Sequence, residues 1–165
     1  MSGSFDPAEW TDFAVAVSGA AAALAGLLVV SISINVREIA SDRLLPPRAG
    51  AALVMLVTPL VAAVCVLVPS QSPDALGMEL VAVGVVVGVL LIAFSWPRPS
   101  PKRTVASWVL GQVLWVVLVV VPLILAGVGL LITGLGGLYW LPVTVVAGVV
   151  GGLLQAWVLL IEILR

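Results

Sequence analysis

Long unbroken apolar runs dominate the chain, in place of the alternation of a half-buried strand or the one-sided stripe of a soluble helix. Five runs reach the roughly 20 residues that a helix needs to cross the hydrocarbon of a bilayer. They cover about 13–36, 49–68, 75–96, 104–133 and 140–164. Prolines and short polar residues punctuate them. Asp6-Pro7-Ala8-Glu9 reads as a helix start: an acid able to cap, a proline at the first helical position, and an acid three residues after the cap. The first helix therefore begins ahead of its apolar run. Pro46-Pro47 and Pro69 bracket the second run. Ser72-Pro73-Asp74 opens the third, which stops before Pro97, and the fourth follows Ser100-Pro101. Gly134-Leu135-Gly136-Gly137 reads as a turn between the fourth and fifth. The pattern predicts an all-α membrane protein, residues 1–165 forming one transmembrane domain.

Composition agrees. Hydrophobic residues make up 62% of the chain and charged residues 9%, with a mean hydropathy of +1.30. A soluble domain is about a quarter charged, so a cytosolic enzyme, a secreted domain and a disordered tail are all excluded. The placement of the charges adds an orientation. Every Lys and Arg (Arg37, Arg43, Arg48, Arg98, Lys102, Arg103 and Arg165) falls in 37–48, 97–103 or the C-terminus. Asp6, Glu9, Asp12, Asp74 and Glu79 occupy the opposite ends of the spans. Basic loops face the cytoplasm, which predicts an N-out, C-in topology. The first run carries acids instead of a basic leader and is too long for a signal-peptide core, so it is expected to remain as a span. Trp10 and Trp140 fall near the outer boundary, Trp96 and Trp108 near the inner one, while Trp115 and Trp157 lie deeper, as packing residues. Arginine-rich basic usage with abundant Ala, Gly and Val points to a bacterial source, hence to a bacterial plasma membrane.

One internal similarity stands out. Thr58-Pro59-Leu60-Val61-Ala62-Ala63 in the second span matches Val121-Pro122-Leu123-Ile124-Leu125-Ala126 in the fourth. The span after each carries a GxxxG, at Gly84 and Gly88, then at Gly148 and Gly152. The architecture is then a lone first helix plus two parallel helical hairpins; chance in a chain with 16 Gly and 11 Pro is the other explanation.

Candidate chemistry is sparse. There is no histidine and a single cysteine, Cys65, so a zinc site, an intrachain disulfide and the commonest general base are absent. No nucleotide fingerprint appears, net charge is −1, and no nucleic-acid partner, cofactor or enzymatic activity is expected. Three groups remain. The first is small residues, which let helix backbones approach in lipid: Gly19 and Ala23, Ala22 and Gly26, and the two GxxxG pairs. These serve either packing within one molecule or a seam facing another subunit. The second is polar residues near the inner boundary: Ser31 and Asn35, one turn apart on one helix face, with Gln112 and Gln155 at similar depth. Asn35, Gln112 and Gln155 form either a hydrogen-bonded cluster or a vestibule open to the cytoplasm. The third is Pro59 and Pro122, which kink their spans or act as hinges, with Thr58 positioned to satisfy the carbonyl that Pro59 frees. Acids stay at the boundaries, where Glu162 reaches Arg165 or headgroup water. The midplane holds no ionisable group of the kind pumps and proton relays use.

Trp10-Thr11-Asp12-Phe13, then Ser18-Gly19-Ala20-Ala21-Ala22-Ala23-Leu24-Ala25-Gly26-Leu27-Leu28 and Ser31-Ile32-Ser33-Ile34-Asn35, resembles the opening of a group of small multi-pass actinobacterial proteins. Some of these carry the label of modulator of the FtsH protease. The resemblance covers about the first 40 residues, implies a modulator role and brings no site residues with it. The chain thus reads as a non-enzymatic protein acting through helix–helix association, as a homo-oligomer or as an accessory subunit of a membrane complex. The alternative is a small homo-oligomeric ion or solute channel with a polar cytoplasmic vestibule.

Overall fold

The residues that interrupt the apolar runs set where the helices begin and break. The computed structural model describes residues 7–42, 45–95, 113–132 and 135–163. Helix α1 (Pro7–Ile34) has Pro7 at its first position, where a missing N–H removes no helical bond. It breaks at Asn35, whose side-chain amide donates to the Ser31 carbonyl at 2.9 Å, and a six-residue helix α2 (Val36–Ser41) follows. Helix α3 spans Leu45–Val66, four residues earlier than the apolar run. Pro46 and Pro47 lie inside its first turn, which tolerates proline. Helix α4 (Pro73–Ser95) is capped as the sequence predicts: the Ala75 N–H donates to Ser72 Oγ at 3.2 Å.

Helix α5 is described over Leu114–Leu131; the earlier part of the fourth run, with Ser100-Pro101, lies outside the described residues. The turn after α5 needs glycine. Gly136 has φ 83° and Gly137 φ 49°, a region that carries a Cβ penalty for other residues. A single 3-10 turn (Gly137–Trp140) then leads into α6 (Leu141–Ile163), and the Trp140 indole N–H donates to the Leu135 carbonyl at 2.8 Å.

Among the described residues, five helices are long and apolar enough to cross a membrane. Helix α3 touches α1, α4 and α6; α4 lies along α5, and α5 along α6. The helices α3, α4, α5 and α6 therefore close on one another, and α1 lies outside them against α3. Buried Leu76, Leu80, Leu123, Leu138 and Leu141 gather with Ala14 and Val66 at the end that carries Glu9, Asp12, Asp74 and Glu79. Ile39, Leu45, Ala49 and Leu159 gather at the other end, near Arg37 and Arg48. Between them, Met55, Leu91 and Val119 fill the centre. The two deep tryptophans part company. Trp115 packs against Gly151, but Trp157 is 64% exposed; it points away from the bundle and is not a packing residue.

Candidate functional site

The small residues divide into used and unused sets. On α4, a Cβ at Gly84 would sit 2.7 Å from Ile124 of α5, and one at Gly88 would sit 3.4 Å from Val120. On α6, a Cβ at Gly148 would meet the Met55 carbonyl at 2.8 Å and the Pro59 ring at 2.9 Å, and one at Gly152 would meet Leu56 at 2.7 Å. Both GxxxG pairs are thus consumed inside the molecule. Gly77 and Gly127, which the GxxxG pattern passes over, make the closest approach: a Cβ on Gly127 would lie 2.6 Å from the Gly77 carbonyl. Their signal was the seven-residue interval from Gly77 to Gly84, which keeps both on one helix face.

Helix α1 behaves differently. Ala14, Ala21, Ala25 and Leu28 are buried, at spacings that form one stripe against α3. Asp12, Ala16, Gly19, Ala23, Gly26 and Val30 recur at alternating intervals of three and four and are all exposed. A Cβ added at Gly19 or Gly26 would meet nothing within 4 Å. Helix α1 is the least buried of the five spans, and this second small-residue face has no partner helix among the described residues.

The polar residues bond locally. Asn35 donates to Ser31, and Ser33 Oγ donates to the Val29 carbonyl at 2.8 Å. Side chains that back-bond to their own helix are satisfied without a neighbour or a water-filled space. Gln155 is half-buried on α6, and Gln112 lies outside the described residues, as does Arg165. Among the described residues Glu162 pairs with Arg48 of α3, which a reading limited to neighbours in sequence does not reach.

Pro59 and Pro122 are both buried inside continuous helices. Pro59 has no N–H for the Met55 carbonyl. Thr58 does not replace it, because its hydroxyl donates to Val54 at 2.7 Å, one residue too early. The Met55 carbonyl faces Gly148 instead, and the Pro59 ring occupies the space that a Gly148 side chain would need. The proline is packed on the α6 side. One turn away on α6, Thr144 is wholly buried and its hydroxyl has no hydrogen-bond partner.

At the acidic end, Trp10 sets its ring edge-on to Phe13 (5.6 Å between centroids) and to Tyr139 (5.4 Å). These contacts pin the start of α1 to the turn before α6. An apolar crevice below them is lined by Trp10, Phe13, Val17, Ala63, Val66 and Val145, among others. Cys65 of α3 faces Glu79 of α4 at this end. No family model matches the chain, and no curated protein or solved structure matches it either.

Two stability outcomes follow in mild detergent, both read by thermal unfolding. Gly84→Leu and Gly148→Leu force a side chain into occupied space and each lower stability by about 1–3 kcal/mol, while Gly19→Leu leaves it unchanged. Equal losses at all three positions would show that the α1 face is packed too. Thr144→Val removes an unpaired buried hydroxyl and raises stability by about 1 kcal/mol; a loss of similar size would mean that the hydroxyl has a partner in the membrane.

Proposed function

We propose that this is a non-enzymatic multi-pass protein of a bacterial plasma membrane that works by lateral association of α1 with another transmembrane helix. Its occupant is either a second copy or a larger membrane protein to which this chain is an accessory subunit. The observation that carries the reading is the exposed face Ala16, Gly19, Ala23 and Gly26. In lipid, apolar side chains gain nothing by leaving acyl chains for one another, so helices associate where small residues allow backbone contact. A glycine turned to lipid forgoes side-chain contact on that side, and two of them one heptad apart on one face make a seam. The modulator role implied by the resemblance of the first 40 residues concerns this same helix.

The N-terminus lies outside and the C-terminus in the cytoplasm. In support, one end of the bundle carries Glu9, Asp12, Asp74 and Glu79, Arg37 and Arg48 lie at the other, and in sequence every Lys and Arg falls in 37–48, 97–103 or the C-terminus. The lone helix is α1, and the hairpins α3–α4 and α5–α6 form an internal repeat. Each hairpin's GxxxG rides on the other's proline helix: Gly84 against Ile124, two residues past Pro122, and Gly148 against Pro59 itself.

The association test uses single cysteines in a Cys65→Ala background, cross-linked in native membranes. Cysteines at Gly19 or Ala23 give a covalent adduct, either of twice the chain mass or with a larger protein. Cysteines at lipid-facing Val86 or Val89 do not, and Gly26→Leu cuts the Ala23 adduct by about tenfold. A chain that stays monomeric from every α1 position overturns the reading. For orientation, Ser72→Cys reacts with an impermeant maleimide in intact cells and Ser41→Cys reacts only after lysis; the reverse order inverts the topology.

A further inference from the structure

The Arg48–Glu162 ion pair is a contact that neither helix packing nor the α1 seam requires, and its position gives it a use. Arg48 is the fourth residue of α3, and Glu162 is the last but one of α6. On its own helix each charge sits at the unfavourable end: a cation near an N-terminus and an anion near a C-terminus. The two helices run antiparallel, so each charge lies beside the other helix's favourable end and beside its counter-ion. Both charges therefore depend on α3 and α6 staying together at this end. The Arg48 side chain is only 12% exposed and that of Glu162 38%.

The same α6 turn carries Leu159, 2% exposed, in the cluster with Ile39 of α2 and Leu45 and Ala49 of α3, against which Ile32 of α1 packs. Helix α2 has little else to hold it. Val36, Arg37, Glu38 and Ala40 are exposed, and Ile39 is its one buried side chain. We propose that Arg48–Glu162 is a releasable clasp: closed, it holds Leu159 in place and so seats α2 and the inner end of α1; opened, it frees the α1–α2 junction while the centre of the bundle stays packed. The inference stands whether or not α1 has a partner, since it concerns only how firmly the inner end of α1 is held.

The clasp is tested by thiol labelling with a water-soluble maleimide in open membranes, with Ile39→Cys as reporter in a Cys65→Ala background and Leu123→Cys as a control for the bundle centre. Arg48→Gln or Glu162→Gln raises the labelling rate at Ile39→Cys about tenfold and leaves Leu123→Cys unlabelled. The charge-swapped double variant Arg48→Glu with Glu162→Arg returns the Ile39→Cys rate to within about twofold of the parent, because the pair reforms with opposite sense. Three results would overturn the proposal: an unchanged rate in both neutralised variants, no recovery in the swapped pair, or labelling of Leu123→Cys alongside Ile39→Cys.

Discussion

Close approach of backbones across glycine is the contact on which the rest of this bundle depends. A soluble helical protein is held chiefly by removing apolar surface from water. Within hydrocarbon that drive is missing between helices, and what remains is contact density and the few hydrogen bonds the side chains retain. Here the density is concentrated in two seams. Along α4 and α5, Gly77 meets Gly127, and Gly84 meets Ile124; along α3 and α6, Gly148 meets Pro59, and Gly152 meets Leu56. Both seams join one hairpin to the other. Glycine serves within the hairpins as well, where Gly50 of α3 meets Phe94 of α4 and Gly151 of α6 meets Trp115 of α5.

The polar features lie partly in these seams and partly on their own helices. A proline in mid-span leaves a carbonyl without its donor, which is costly where no water can reach. At Pro59 the freed Met55 carbonyl faces Gly148, the residue whose missing side chain also admits the proline ring. Serine, threonine and asparagine side chains bond back to their own helices at Val29, Ser31 and Val54. Side chains bonded in this way make no demand on the neighbouring helices. Among the described residues, the wholly buried Thr144 departs from this habit, its hydroxyl lacking a partner.

Much of this was legible in the sequence because the membrane enforces it. Run length and proline placement gave the five long helices, and Ser72-Pro73 gave the start of α4 to the residue. Pro46 and Pro47 misplaced the start of α3, since a proline marks the first turn as readily as the residues before it. The glycine pairs at 84/88 and 148/152 were visible as small-residue faces, but nothing local says which helix such a face meets. That is a property of the bundle, as are the partner of Glu162 and the outward turn of Trp157. Gly77 and Gly127 were missed for the same reason: they lie on different helices, and only the crossing makes them a pair.

Helix α1 carries small residues on two sides. Its stripe of Ala14, Ala21 and Ala25 lies on α3 by the rule that governs the glycine seams, with small side chains turned toward a neighbour. The opposite stripe of Ala16, Gly19, Ala23 and Gly26 obeys the same rule without a neighbour among the described residues. Compare α4, whose exposed positions include Met78, Val85, Val86, Val89 and Ile92. There the side that leaves the bundle carries no glycine, and Gly77, Gly84 and Gly88 lie on the side that stays, beside the buried Leu76, Leu80 and Leu91. On α1 the glycines Gly19 and Gly26 are on the exposed side, among larger residues such as Leu27 and Val29. The physical difference between α1 and α4 therefore lies not in hydrophobicity, which they share, but in which face carries the glycines.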